Sequence, residues 1–198
     1  LMRSSAASDV YKRQGEVTPV FVYTSYPKAE LFINGKSQGM REKNDSTYQN
    51  RYRLMWNETV YEPGELKVIA YDNDGNQVAE KIVKTAGKPH HLVVTPNRDT
   101  IAADGDELVY FTVQVADKDG NIVPDDSRMV SFKVDGAGQF EATANGDPTC
   151  LLPFQNPKMK LFSGAATAIA RSATTPGTLR FTATAPGVRS ATATITVK

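Results

Sequence analysis

The chain has 198 residues, enough for one large domain or two small ones. Its 23 basic and 22 acidic residues leave a net charge of +1, so no basic field exists to gather nucleic acid or anionic lipid, and neither partner is expected. The single cysteine, Cys150, excludes an intrachain disulfide, and no apolar run approaches the ~20 residues of a membrane helix, so no membrane insertion is expected.

Leu1 to Gln14 shows neither period 2 nor period 3.6 and lacks the apolar stretch of a signal peptide. It reads as a non-native, disordered lead segment resembling translated sequencing-adaptor read-through, and is set aside from fold reasoning. The compartment stays open.

From Val17 onward the pattern changes to short alternating runs broken by turn residues. Thr18 to Thr24 contains proline and reads as an edge strand. Ala29 to Ile33 leads into Asn34-Gly35, a hairpin signal, because both central positions of a type I′ turn need φ > 0. Lys36 to Met40 would return, and Arg51 to Trp56 would follow. Glu62-Pro63-Gly64 is a turn, since proline presets φ and glycine supplies a positive one. Leu66, Val68 and Ala70 then alternate with Lys67, Ile69 and Tyr71, and Asp74-Gly75 turns the chain into Val78 to Lys84. About seven short strands within 15–86 predict a first immunoglobulin-like sandwich. Gly87 and Pro89 break the pattern, so 87–89 is expected to be a linker.

The second unit, 90–198, has cleaner alternation. Val109, Phe111, Val113 and Val115 share one face; so do Val130, Phe132 and Val134; so do Leu179, Phe181, Ala183 and Ala185; so do Ala191, Ala193, Ile195 and Val197. Small and branched residues in these positions suit two packed sheets. The expected fold class is therefore all-β, as two tandem immunoglobulin-like β-sandwiches. No stretch shows convincing helical amphipathicity. The segment 143–160 is the longest loop, rich in Pro, Asn and Gly, and loops on sandwiches are where function concentrates.

Several constellations each admit two readings. Asp72-Asn-Asp-Gly-Asn76 and Asp117-Lys-Asp-Gly-Asn121 look like the start of a calcium loop, but neither supplies the closing Glu, and Asp and Asn are also the residues of tight turns. His90 and His91 are the only histidines; on one strand they would face opposite sides and could not share an ion. Cys150 has no neighbour in sequence that would activate a thiol. Trp56 is either a sugar-stacking platform or the buried indole of a small sandwich. In Asn145-Gly146-Asp147-Pro148, the Asp before Pro is held extended, so Asn145 and Asp147 either contact a glycan or neighbouring domain or cap their own turn. Acid/base work by a pair of carboxyls needs an apolar setting that raises one pKa, and no pair is marked here by one. No catalytic residue, metal ligand or cofactor site is therefore expected, and no cofactor.

Two stretches, 54–71 and 140–172, carry a resemblance. With Val20 to Ser25, Ala29 to Ser37, Tyr61-Glu-Pro-Gly64, Ala103-Asp-Gly105, Asp117 to Asn121 and Asn145 to Pro148, they resemble the β-sandwich domains that follow the catalytic barrel in bacterial glycoside hydrolase family 2 enzymes of the β-galactosidase type. The resemblance covers about residues 17–198. It implies a non-catalytic C-terminal part of a retaining β-glycosidase, periplasmic or secreted, whose catalytic glutamates lie on a preceding (β/α)8 barrel. That barrel would be the partner, and a glycan a second one. Its role would be domain packing, assembly or support of the sugar site. A carbohydrate-binding module, or immunoglobulin-like stalk repeats of a surface adhesin, are the alternatives.

Overall fold

A computed structural model describes residues 15–198; the lead segment 1–14 lies outside the described residues. The chain is all-β and divides into two compact units, one ending at Thr85 and one running from Ala86 to Lys198.

Among its described residues the first unit has six strands and one helical turn. β1 (Val20–Val22) and β4 (Leu54–Trp56) form a two-stranded antiparallel sheet. A four-stranded antiparallel sheet runs β3 (Lys36–Glu42), β2 (Lys28–Ile33), β5 (Glu65–Tyr71), β6 (Gln77–Lys84). Val22, Ala29, Leu31, Leu54, Trp56, Val68 and Ala70 make the core between them. The narrow β1–β4 sheet explains β6: every residue of that strand is exposed, because nothing among the described residues of the unit covers it. Its Glu80, Lys81 and Lys84 discourage pairing with another chain, the usual protection of an edge strand.

The two turns read from sequence are joined to each other. Asn34 at φ 49° and Gly35 at φ 78° close the β2–β3 hairpin. The Asn34 side chain accepts from the Glu65 N–H at 2.8 Å and donates to the Pro63 carbonyl at 3.1 Å. A Cβ on Gly64, itself at φ 137°, would lie 1.9 Å from Asn34 Oδ1, so only glycine fits beneath that amide.

One expectation needs correction here. Arg51 and Tyr52 are not strand but the end of a helical turn, α1 (Tyr48–Tyr52), and only Leu54–Trp56 is extended. Thr47 caps α1 by accepting from the Asn50 N–H at 3.2 Å. Five residues are too few to display a helical period in sequence.

The second unit has nine strands in two sheets. One is ordered β12 (Lys158–Lys160), β10 (Met129–Gly136), β14 (Gly177–Thr184), β15 (Ala191–Val197), β8 (Thr100–Ile101). The other is β11 (Gly138–Ala144), β13 (Ala165–Ser172), β9 (Leu108–Ala116), β7 (His91–Pro96). All neighbours are antiparallel except β15 and β8. The predicted inward faces are inward: Val109, Phe111, Val113 and Val115 are fully buried, as are Leu179, Phe181 and Ala183. Phe111 of one sheet stacks on Phe181 of the other, with centroids 4.1 Å apart and planes 7° from parallel. Phe132 adds a third ring 5.8 Å from Phe181. Ala168 of β13 pairs in register with Phe111, and Ala166 and Ala170 are buried on the same face. These small side chains line the core that the phenyl rings fill.

The stretch just before β7 contacts this second unit. Ala86 packs against its core, and the Gly87 N–H donates to the Asp117 carboxylate at 2.7 Å.

Candidate functional site

The two D-x-D-G-N segments adopt the same turn. Asp72 Oδ1 accepts from the N–H groups of Asp74 (3.0 Å) and Asn76 (2.8 Å), and Oδ2 accepts from Asn76 Nδ2 (3.0 Å). Asp117 repeats this with Asp119 (2.9 Å), Asn121 (2.8 Å) and Asn121 Nδ2 (3.0 Å). Gly75 and Gly120 take φ of 85° and 87° where each turn reverses. The carboxylates are thus consumed by their own backbone, which is hairpin chemistry. Burial raises the Asp117 carboxyl pKa, but the donors at Gly87, Asn121 and Asp119 more than reverse it and hold it at about 2.

The histidines correct an expectation. His90 and His91 do not face opposite sides: their Nδ1 atoms lie 3.2 Å apart. His90 precedes β7, so strand alternation does not govern it. Arg189 Nη2 stands 3.3 Å from the same His90 nitrogen, putting a guanidinium cation where a metal would have to sit. Among the described residues no group of three or more His, Cys, Asp or Glu is placed to hold a metal ion.

Trp56 is 2% exposed, and its Nε1 donates to the Gly39 carbonyl at 2.9 Å, tying β4 to β3. A ring so enclosed offers no face to a pyranose. Cys150 is partly buried, with Sγ 3.7 Å from Met159 Sδ at the core margin.

Asn145 and Asp147 form a compact turn. Asn145 Nδ2 donates to the Lys160 carbonyl at 3.0 Å, and its Oδ1 accepts from the Asp147 N–H at 3.0 Å. Asp147 Oδ1 accepts from both the hydroxyl (2.7 Å) and the N–H (2.9 Å) of Thr149, which holds its carboxyl below the usual carboxylate range. Asp147 Oδ2 has no hydrogen-bond partner among the described residues. Further along the same loop, Leu151 is 97% exposed and Phe154 64%. The loop therefore presents two large apolar side chains and one open carboxylate oxygen, a pattern suited to contact with another surface. Sequence reasoning singled out the turn but not the two apolar side chains, whose exposure only the fold reveals.

Among the described residues, no helix is long and apolar enough to cross a membrane.

Residues 92–194 match the model of the glycoside hydrolase family 2 C-terminal domain 5, and residues 15–79 match a domain of unknown function, DUF4982. The chain is 38% identical over 169 residues to β-galactosidase BoGH2A of Bacteroides ovatus, covering 85% of this chain and 19% of that protein. A solved glycosyl hydrolase family 2 member from Bacteroides cellulosilyticus superposes with a TM-score of 0.86 at 29% identity, over 95% of this chain and 24% of that one. A β-glycosidase from Bacteroides vulgatus gives a TM-score of 0.86 at 26% identity, over 94% of this chain and 23% of that one. The chain thus spans about a fifth to a quarter of these relatives, and corresponds in each to part of a much longer protein. A family model covering more than half the residues, with 38% identity to a family member over 85% of the chain, leads to one assignment: the chain belongs to glycoside hydrolase family 2, through its C-terminal domains.

Proposed function

We propose that this chain is a non-catalytic accessory part of a larger retaining, β-galactosidase-type glycoside hydrolase, packing against a catalytic (β/α)8 barrel of the same parent chain. The observation that carries the reading is the 38% identity to a β-galactosidase over 85% of this chain but only 19% of that enzyme. The carboxylates add support. A glycosidase acid must be held protonated near neutral pH, which requires a raised pKa. Asp72, Asp104, Asp117, Glu141 and Asp147 are held the other way, by hydrogen bonds that favour the ionised form, so none of these five suits the acid's role. The family match also favours this reading over an adhesin stalk.

Within it, the 145–157 loop is the contact element, with Leu151 and Phe154 as the apolar anchor and Asp147 Oδ2 as the polar one. Incubating the 198-residue chain with an aryl β-galactoside is expected to release no phenol above buffer. Turnover that disappears when a glutamate of this chain is replaced by glutamine would overturn the proposal.

A further inference from the structure

We infer that the first unit holds a binding site for a neutral, polyhydroxylated ligand of the size of a short glycan, in the cleft between β3, α1 and β4. The inference stands on that unit alone and does not depend on what the parent protein hydrolyses.

The cleft has a volume of about 320 Å³, at the lower end of the range for small-molecule sites. Its lining is almost wholly polar: Arg41, Asn44, Asn50, Arg53, Asn57 and Glu58 carry the argument. Two features narrow the ligand class. First, the carboxylates of Glu42, itself 3.8 Å from Lys28 Nζ, and Glu58 share the lining with the two arginines, so a polyanion meets like charge as well as opposite charge. Second, donors and acceptors are interleaved. Guanidinium groups only donate, carboxylates only accept, and each asparagine amide does both. Hydroxyl groups, which donate and accept at once, match such a lining best.

The site is held before any ligand arrives. Arg41 Nε donates to the Met55 carbonyl at 3.3 Å, fixing β3 against β4. The Asn44 N–H donates to the Asn50 carbonyl at 3.2 Å, and Asn44 Oδ1 accepts from the Ser46 N–H at 3.1 Å. Asn50 Nδ2 donates to Ser46 Oγ at 3.0 Å, so both amides are set in place by this turn. Arg53 lies over the Phe21 ring, 4.8 Å from its centroid, and donates from Nη1 to the Tyr23 hydroxyl at 3.1 Å. Its Nε is buried without an acceptor, and among the described residues neither Arg53 nor Arg41 forms an ion pair. The guanidinium is thus clamped by a π face and a phenol, its charge uncompensated by any direct carboxylate.

Other lining groups remain open. Among the described residues, the Asn57 amide and the Glu58 carboxylate have no hydrogen-bond partner, and both residues are exposed. Aromatic surface lies close by. Tyr23, bonded to Arg53, is 42% exposed. Tyrosine presents an apolar face and a polar tip, the combination that suits a sugar ring.

The test is a ¹H–¹⁵N NMR titration of the 198-residue chain with lactose, and separately with inorganic phosphate. At about 10 mM lactose, a site with a Kd of about 1 mM is close to saturated. The expected result is shifts at Asn44, Asn50, Arg53, Asn57 and Glu58 with lactose, and none of that set with phosphate. Asn57→Ala and Glu58→Ala, at exposed and unbonded positions, should each weaken binding by about fivefold, the worth of one hydrogen bond, with melting unchanged. Four results would overturn the inference: no shifts with lactose, shifts confined to 145–157, shifts with phosphate alone, or affinity unaltered in both variants.

Discussion

Asp117→Asn tests the buried turn that joins the lead-in of the second unit to its first hairpin. Asp117 is 3% exposed and accepts four N–H bonds: Asp119 and Asn121 backbone at one oxygen, Gly87 backbone and Asn121 Nδ2 at the other. Asparagine is isosteric but supplies one acceptor oxygen. Whichever way its amide turns, an NH₂ faces two donors, and two of the four bonds are lost. Two bonds to a charged acceptor are worth about 3 kcal/mol together. The titration of Asp117 gives the same scale: a carboxyl held at about 2 instead of its ordinary 3.8 contributes about 2 kcal/mol at neutral pH. The sign follows from the depressed folded-state pKa. The contribution is complete above the unfolded value, near pH 4, and is lost as pH falls through about 2. Calorimetry should therefore show the second unit's transition lowered by about 10 °C in Asp117→Asn at neutral pH. The gap to wild type should close as pH falls below 4. The control is Asp72→Asn, in the same turn of the first unit without the Gly87 bond, which should lose less. Equal losses in the two variants, or a gap at neutral pH that persists at pH 2, would refute the reasoning.

Phe181→Ala removes the ring stacked between Phe111 and Phe132, and is expected to cost the second unit about 3 to 5 kcal/mol in denaturant unfolding while leaving the first unit's transition in place. Gly64→Ala should cost the first unit about 2 kcal/mol or more, because the added Cβ meets Asn34 Oδ1 and the φ of 137° is foreign to alanine; Gly35→Asn, in an open turn, should cost far less by the same measurement. Leu151→Ser with Phe154→Ser should leave the melting of the 198-residue chain unchanged, since both side chains are exposed, yet weaken its association with a separately expressed parent barrel; unaltered association would remove the loop from the contact.

Much of this architecture is written in residue order, and the exceptions have physical causes. The inward faces of β9, β10, β14 and β15 could be read directly, because bulky and branched residues alternate with Thr, Lys and Arg. β13 was not legible as a strand: its buried positions are three alanines and Ser172, small enough to fit beside the phenyl core, and alanine carries little strand signal. The parallel pairing of β8 with β15 joins residues nearly a hundred positions apart, beyond any local pattern. The histidine pair failed because the alternation rule was applied one residue outside the strand. The polar cleft of the first unit was invisible for a different reason. Its residues come from a strand edge, a single helical turn and the residues after β4, and none of them forms a motif alone. The Asn145 turn was recognised, whereas the exposure of Leu151 and Phe154 beside it depends on tertiary structure.

The central claim is that these sandwiches serve a catalytic domain they do not contain. Reading the genomic frame upstream of this chain tests it most directly. The account predicts an open frame encoding a (β/α)8 barrel, with two glutamates at strand ends placed to lie about 5 Å apart. A frame that instead encodes further sandwich repeats behind an anchor would contradict it.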